Sequence, residues 1–169
     1  TDTSFEARYA RAIAAYRATN TDDALAQIDA LIEENPENPF LWELRGQVLF
    51  ESGRPAEAEP AHRRSVELMP EAGLLRLNLA QAIIASDDPA RMQEGIAELH
   101  RSLAYERDNP FAYLLMSQAY GAIGEDGQAR LAQAEYHFAI NEMEEAQRAA
   151  VFARARLDRG TAGWQRAVD

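Results

Sequence analysis

Residues 39–72 read PFLWELRGQVLFESGRPAEAEPAHRRSVELMPEA, and residues of the same kinds return when this frame is shifted by 34 positions in either direction. The frame holds a large aromatic (Trp42), a small residue (Gly46), a glycine-bearing turn (Ser52 to Pro55), Ala58, Ser65 and a closing Pro70. Stacked helix–turn–helix units leave a period of this size, because one unit cannot bury its apolar face alone and must cover it with the next. The expected fold is therefore all-α: a solenoid of four to five stacked helix–turn–helix units.

Read in order, the chain divides into repeats at 5–38, 39–72, 73–109 and 110–141, with a fifth at 127–158 overlapping the fourth. In the first repeat Tyr9, Ala12, Ile13 and Tyr16 lie at helical spacing. A turn at Thr19–Thr21 follows, with Thr21 or Asp22 as the expected helix cap. The third repeat is three residues longer than its neighbours, and the excess falls in the turn Ser86–Arg91. A stack tolerates extra length there because the turn projects from the surface. In the fourth repeat Tyr113, Ser117 and Gly124 take the places of Trp42, Gly46 and Gly53. The period then halves, since Ala146 follows Ala129 by 17 residues. One helix, from about Gly127 to Ile140, would thus serve two units. The tail carrying Trp164 is expected to add a short capping helix, so 1–169 reads as a single repeat domain.

Composition excludes more than it assigns. The formal net charge is −11, which disfavours nucleic-acid backbones and anionic membrane surfaces as partners. All seventeen basic residues are arginine. With no cysteine there is no disulfide, thiolate metal site or cysteine nucleophile. No apolar run approaches the length of about 18 residues that a membrane span needs, and the opening TDTSFEARYAR carries no signal-peptide pattern. The glycines follow packing and turn positions and form no phosphate loop. The acidic pairs, such as Glu33-Glu34 and Asp87-Asp88, fall at helix ends and turns, where a solvated face accounts for them.

These features resemble the tetratricopeptide repeat family over essentially the whole chain. The second repeat is a strong match and the fourth a good one. The first and third depart from the pattern by placing Arg8 and Arg76 in the aromatic position. The resemblance implies a right-handed superhelix in which the first helices of the units line an inner concave surface. Gln47, Gln81 and Gln118 then share one position on successive helices, Phe40, Leu74 and Phe111 a second, and Glu43, Leu77 and Leu114 a third, with Phe50 and Ile84 continuing the stripe. An apolar groove with a ladder of amides suits an extended peptide or a partner helix, because amides both donate to and accept from a backbone. Glutamine stands where a clamp for a peptide carboxylate would need Lys or Arg, so recognition of a C-terminal carboxylate is disfavoured. The segment from Arg148 onward is basic (Arg148, Arg154, Arg156, Arg159 and Arg166 against Asp158 and Asp169), and is either a docking face or a solvated end.

A narrower resemblance comes from the order of ARYARAIAAYR, GQVLFESGRPAEA, NLAQAIIA, LMSQAYGAIGEDGQARLAQAEYHFA and the ending Trp164-Gln-Arg-Ala. It is similar to the C-terminal repeat domain of periplasmic zinc metalloproteases typified by the beta-barrel assembly-enhancing protease. That resemblance implies a longer parent protein, a periplasmic location, a protease domain in cis and partners in outer-membrane protein assembly. The zinc motif of such proteases, His-Glu-x-x-His, is absent from this sequence, whose histidines are His62, His100 and His137. No catalytic residue, metal ligand or cofactor is expected in this chain, and zinc only in a parent protease domain. The alternative is a free-standing adaptor in the cytoplasm that joins two proteins; an enzyme in its own right has no cluster to support it.

Overall fold

The computed structural model describes residues 2–168, and all of its regular elements are helical. The helices are α1 (Phe5–Arg17), α2 (Thr21–Glu34), α3 (Pro39–Glu51), α4 (Pro55–Leu68), α5 (Gly73–Ile84), α6 (Met92–Tyr105), α7 (Pro110–Ala122), α8 (Asp126–Ala139), α9 (Met143–Arg156) and α10 (Ala162–Arg166). A single 3-10 turn, Pro89–Arg91, precedes α6 within the longer turn of the third repeat. The chain forms two compact units, residues 1–86 and 87–169, which divide inside that turn.

The starts of α3 and α7 are written in Asn-Pro. Asn38 accepts a hydrogen bond from the Phe40 backbone N–H at 3.0 Å, and Asn109 does the same for Phe111 at 3.1 Å. The proline that follows occupies the first helical turn, where no backbone partner is lost. The cap expected for α2 differs: the N-cap position is Asn20, whose side chain makes no capping bond. Thr21 has entered the helix, and its hydroxyl lies 3.2 Å from that of Ser52.

The hairpin turns repeat one device. Thr19, Gly53, Asp87, Gly124 and Asn141 occupy the same turn position, and all five have positive φ. After four of them the next N–H reaches back five residues into the preceding helix, as in Arg54 N–H to the Leu49 carbonyl (3.0 Å) and Glu142 N–H to the His137 carbonyl (2.8 Å). This left-handed residue closes the helix and satisfies its last carbonyls. Glycine does so without strain, whereas Thr19 carries a steric cost.

In the unit of residues 1–86 the core gathers Ala12, Ala24, Ile28, Leu31, Leu41, Leu44 and Val48, with Tyr9, Tyr16 and Trp42 packed against it. A second cluster joins Val66 of α4 to Leu75, Leu79 and Ile83 of α5. In the unit of residues 87–169, α8 packs on α7 and also on α9, so one helix serves two hairpins as its halved period implies. α10 closes onto α8 mainly through small residues. Ala167 joins a buried cluster with Leu131 and Ala153, and a Cβ added at Gly163 would lie 3.2 Å from the Gln128 side chain. Trp164, expected to cap the stack, is only half-buried.

Candidate functional site

The aromatic position of each repeat has a simple physical task. The Trp42 indole N–H donates to the Pro36 carbonyl at 2.8 Å, the Arg76 Nε–H to the Pro70 carbonyl at 2.7 Å, and the Tyr113 hydroxyl to the Arg107 carbonyl at 3.0 Å. All three reach six residues back to the turn between repeats. What this position requires is a long side chain with a donor, which explains why arginine can stand there. Arg8, at the equivalent position of the first repeat, pairs with Glu34 at 2.6 Å.

The candidate stripe divides between the two units. In residues 1–86, Phe40 and Leu74 are 52% and 55% exposed, while Glu43, Gln47, Phe50, Gln81 and Ile84 are partly buried. Leu77 is the correction: it is 5% exposed, so it belongs to the packed scaffold rather than to an open face. In residues 87–169, Phe111, Leu114 and Gln118 of α7 are exposed.

Between α3 and α5 lies a polar cavity of about 210 Å³, lined by Glu43, Gln47, Phe50, Glu51, His62, Asn78 and Gln81. The Glu51 carboxylate accepts from the Tyr16 hydroxyl and from Gln47 Nε2 (3.0 Å), and both bonds hold its pKa below the usual carboxylate value. Burial and the same contact raise the Tyr16 hydroxyl to about 12. Glu43 accepts a longer bond from Asn78 Nδ2 (3.3 Å), and desolvation raises its pKa. Four lining residues, Glu43, Gln47, Phe50 and Gln81, belong to the stripe read from the sequence; Glu51, His62 and Asn78 do not.

His62 enters from α4 because position 46 has no side chain. A Cβ built on Gly46 would lie 2.5 to 2.7 Å from three atoms of the imidazole ring. The ring is 3% exposed, and its Nδ1 has no hydrogen-bond partner. Burial depresses its pKa to about 4, so it is neutral at physiological pH. Of the other histidines, His100 lies 3.1 Å from the Tyr120 hydroxyl and His137 lies 2.7 Å from Glu142. Among the described residues no group of three His, Cys, Asp or Glu side chains is placed to hold a metal ion, and no helix is long and apolar enough to cross a membrane.

The basic C-terminal segment is only partly free. Arg148 pairs with Glu145, and Arg130 and Arg156 both lie over the Phe152 ring, at 5.8 and 5.5 Å. Arg154 and Arg166 line an apolar groove of about 580 Å³ with Leu131, Phe138, Met143 and Val151. Asp169, the expected counter-charge, lies outside the described residues.

Residues 9–72 match a family model described as tetratricopeptide repeat. The solved structures with a similar fold include MamA, at 20% identity over 93% of this chain and 88% of that one, with a TM-score of 0.72. A double mutant of MamA RS-1 aligns at 14% identity over 96% of this chain and 92% of that one, with a TM-score of 0.75. A thermophilic TPR protein of Thermus thermophilus aligns at 15% identity over 98% of this chain and 97% of that one, with a TM-score of 0.61. The architecture is thus an all-α solenoid of tetratricopeptide-repeat type. No curated protein matches the sequence.

Proposed function

We propose that this chain is a protein-interaction scaffold that holds a partner polypeptide on the faces of its first helices. The observation that carries this reading is the exposure of Phe40 and Leu74 at equivalent positions of α3 and α5, beside a cavity lined by Gln47 and Gln81. Apolar anchors beside amides suit a bound backbone: the anchors supply buried area, and the amides satisfy the peptide groups it desolvates. Phe111 and Leu114 repeat the arrangement on α7. The test is selection of a phage-displayed random peptide library on the purified chain. Gln47→Ala with Gln81→Ala should weaken capture of the selected peptides while leaving the circular-dichroism melt unchanged. A lowered melt would make these glutamines structural and remove the reading.

Within that function, we assign the chain to the C-terminal region of a periplasmic zinc metalloprotease, where it would bind substrates or outer-membrane assembly proteins for a protease domain in cis. The support is the order of sequence motifs, together with the shared α8 and the tail helix. A His-Glu-x-x-His helix encoded upstream of Thr1 in the same reading frame is the expected finding. A start codon immediately before Thr1 would instead make the chain a free-standing adaptor.

A further inference from the structure

The cavity between α3 and α5 is built from two departures from the repeat pattern, His62 and Asn78, beside Gly46, which holds the pattern's small-residue position. His62 occupies the position that Ile28 and Leu99 fill in the flanking repeats, and both of those are fully buried. Asn78 occupies the position of Leu44 and Leu115, which are also buried. Gly46 opens the middle of α3, where glycine is among the least favourable helix formers, and the His62 ring fills the gap. Each of these three features lowers stability: a buried imidazole nitrogen without a partner, an amide in a leucine position, a glycine inside a helix. All three converge on one space. Breaches of local preference that cluster in this way mark function more often than accident.

Two of the cavity's amides, and the neighbouring Tyr16 hydroxyl, already bond its acids. Gln47 Nε2 and the Tyr16 hydroxyl donate to Glu51, and Asn78 Nδ2 donates to Glu43. Acceptors dominate what is left toward an occupant: the carboxylates of Glu43 and Glu51 and the carbonyl oxygens of Gln47 and Asn78, with the Gln81 amide beside them and the neutral His62 ring, whose buried Nδ1 has no partner, in the wall. No arginine lines the cavity, and the sequence has no lysine, so the two carboxylates have no cation beside them. An acceptor-rich, doubly acidic cavity calls for a donor-only cation. A guanidinium fits that description, with five N–H groups in a planar fork and no acceptor.

We infer that this cavity is a specificity pocket for an arginine side chain of the partner polypeptide, with the guanidinium between Glu43 and Glu51 and the flanking chain on Phe40 and Leu74. The inference rests on the peptide-binding reading above. It adds a sign: the partner is basic at the point of contact, the opposite of the carboxylate-clamp arrangement.

The test uses synthetic peptides taken from the phage selection, each made with arginine and with its neutral isostere citrulline at the same position, and titrated by fluorescence anisotropy. The expected result is at least about tenfold weaker binding of the citrulline form, the scale of a charge-assisted hydrogen bond. In Glu43→Gln with Glu51→Gln, the two forms should bind alike, with an unchanged melt. Because those amides can still accept a hydrogen bond, residual binding should persist through the apolar anchors. If selected peptides bind α3 and α5 but arginine and citrulline are equivalent on the wild-type chain, the arginine pocket is refuted and the peptide-binding reading survives. A preference for arginine that persists in the double variant also refutes the pocket. If no peptide binds, both readings fall.

Discussion

The contact between Gly46 and His62 yields the most quantitative prediction. In an unobstructed helix, Gly→Ala stabilises by about 1 kcal/mol, because alanine loses less backbone entropy. At position 46 the new methyl would stand 2.5 Å from His62 Cε1, 2.6 Å from Nδ1 and 2.7 Å from Nε2. Carbon contacts settle near 3.5–4.0 Å, so the ring must retreat by about 1 Å. It cannot do so freely, being 3% exposed and held against α3. Overpacking of this kind costs about 1–3 kcal/mol, and three ring atoms are crowded at once, so the upper end applies. Set against the propensity gain, Gly46→Ala should destabilise by about 2 kcal/mol, or roughly 4–8 °C of melting temperature for a chain of this size. In a His62→Ala background the obstruction is gone, and Gly46→Ala should stabilise by about 1 kcal/mol. The double-mutant cycle should therefore return a coupling of about 3 kcal/mol. Urea unfolding followed by Trp42 fluorescence, with Trp164→Phe in every variant, reports on the unit of residues 1–86. A coupling below about 0.5 kcal/mol, the scatter expected of independent sites, would refute the packing argument.

Three further outcomes follow from the same structure. Thr19→Gly and Asn141→Gly should each stabilise the fold, by about 1 kcal/mol or more at Thr19, and so raise the melting temperature, because both positions are left-handed; an unchanged or lowered melt would contradict the turn assignment. Tyr113→Phe removes the bond to the Arg107 carbonyl and should cost about 1 kcal/mol, while Arg76→Leu at the equivalent position should cost a similar amount; loss at only one site would break the equivalence. The folded-state pKa of His62 lies below its ordinary 6.5, so the unfolded chain binds the extra proton first, and stability falls as pH drops from about 6.5 to about 4. The full effect is about 3 kcal/mol, and His62→Leu should flatten that part of the pH–stability curve measured by urea titration.

The fold was legible because its determinants are periodic. Turn residues, Asn-Pro starts and small packing residues recur at one spacing, and each acts within its own hairpin. Arg8 and Arg76 looked like degenerate repeats only because the position was read as aromatic. Arg76, Trp42 and Tyr113 share a donor and a reach, properties that a ring-based pattern does not register. The candidate face was legible in part. Phe40, Glu43, Gln47 and Gln81 follow from repeat alignment, but Leu77 was placed on the open face by the same rule and is buried. Nothing local separates it from Leu114, which the rule also selects and which is exposed. The pocket residues His62 and Asn78 do not follow from repeat alignment, because alignment registers likeness between equivalent positions. Their signal was contrast, a polar residue where the neighbouring repeats hold leucine or isoleucine.

Hydrogen–deuterium exchange of the full chain, with and without a saturating library-selected peptide, is the most direct test of the partner-binding face. Slowed exchange is expected in α3 and α5, centred on residues 40–51 and 74–84, with protection lost in the Gln47→Ala, Gln81→Ala variant. Protection confined to α8 and α9, or unchanged in that variant, would contradict it.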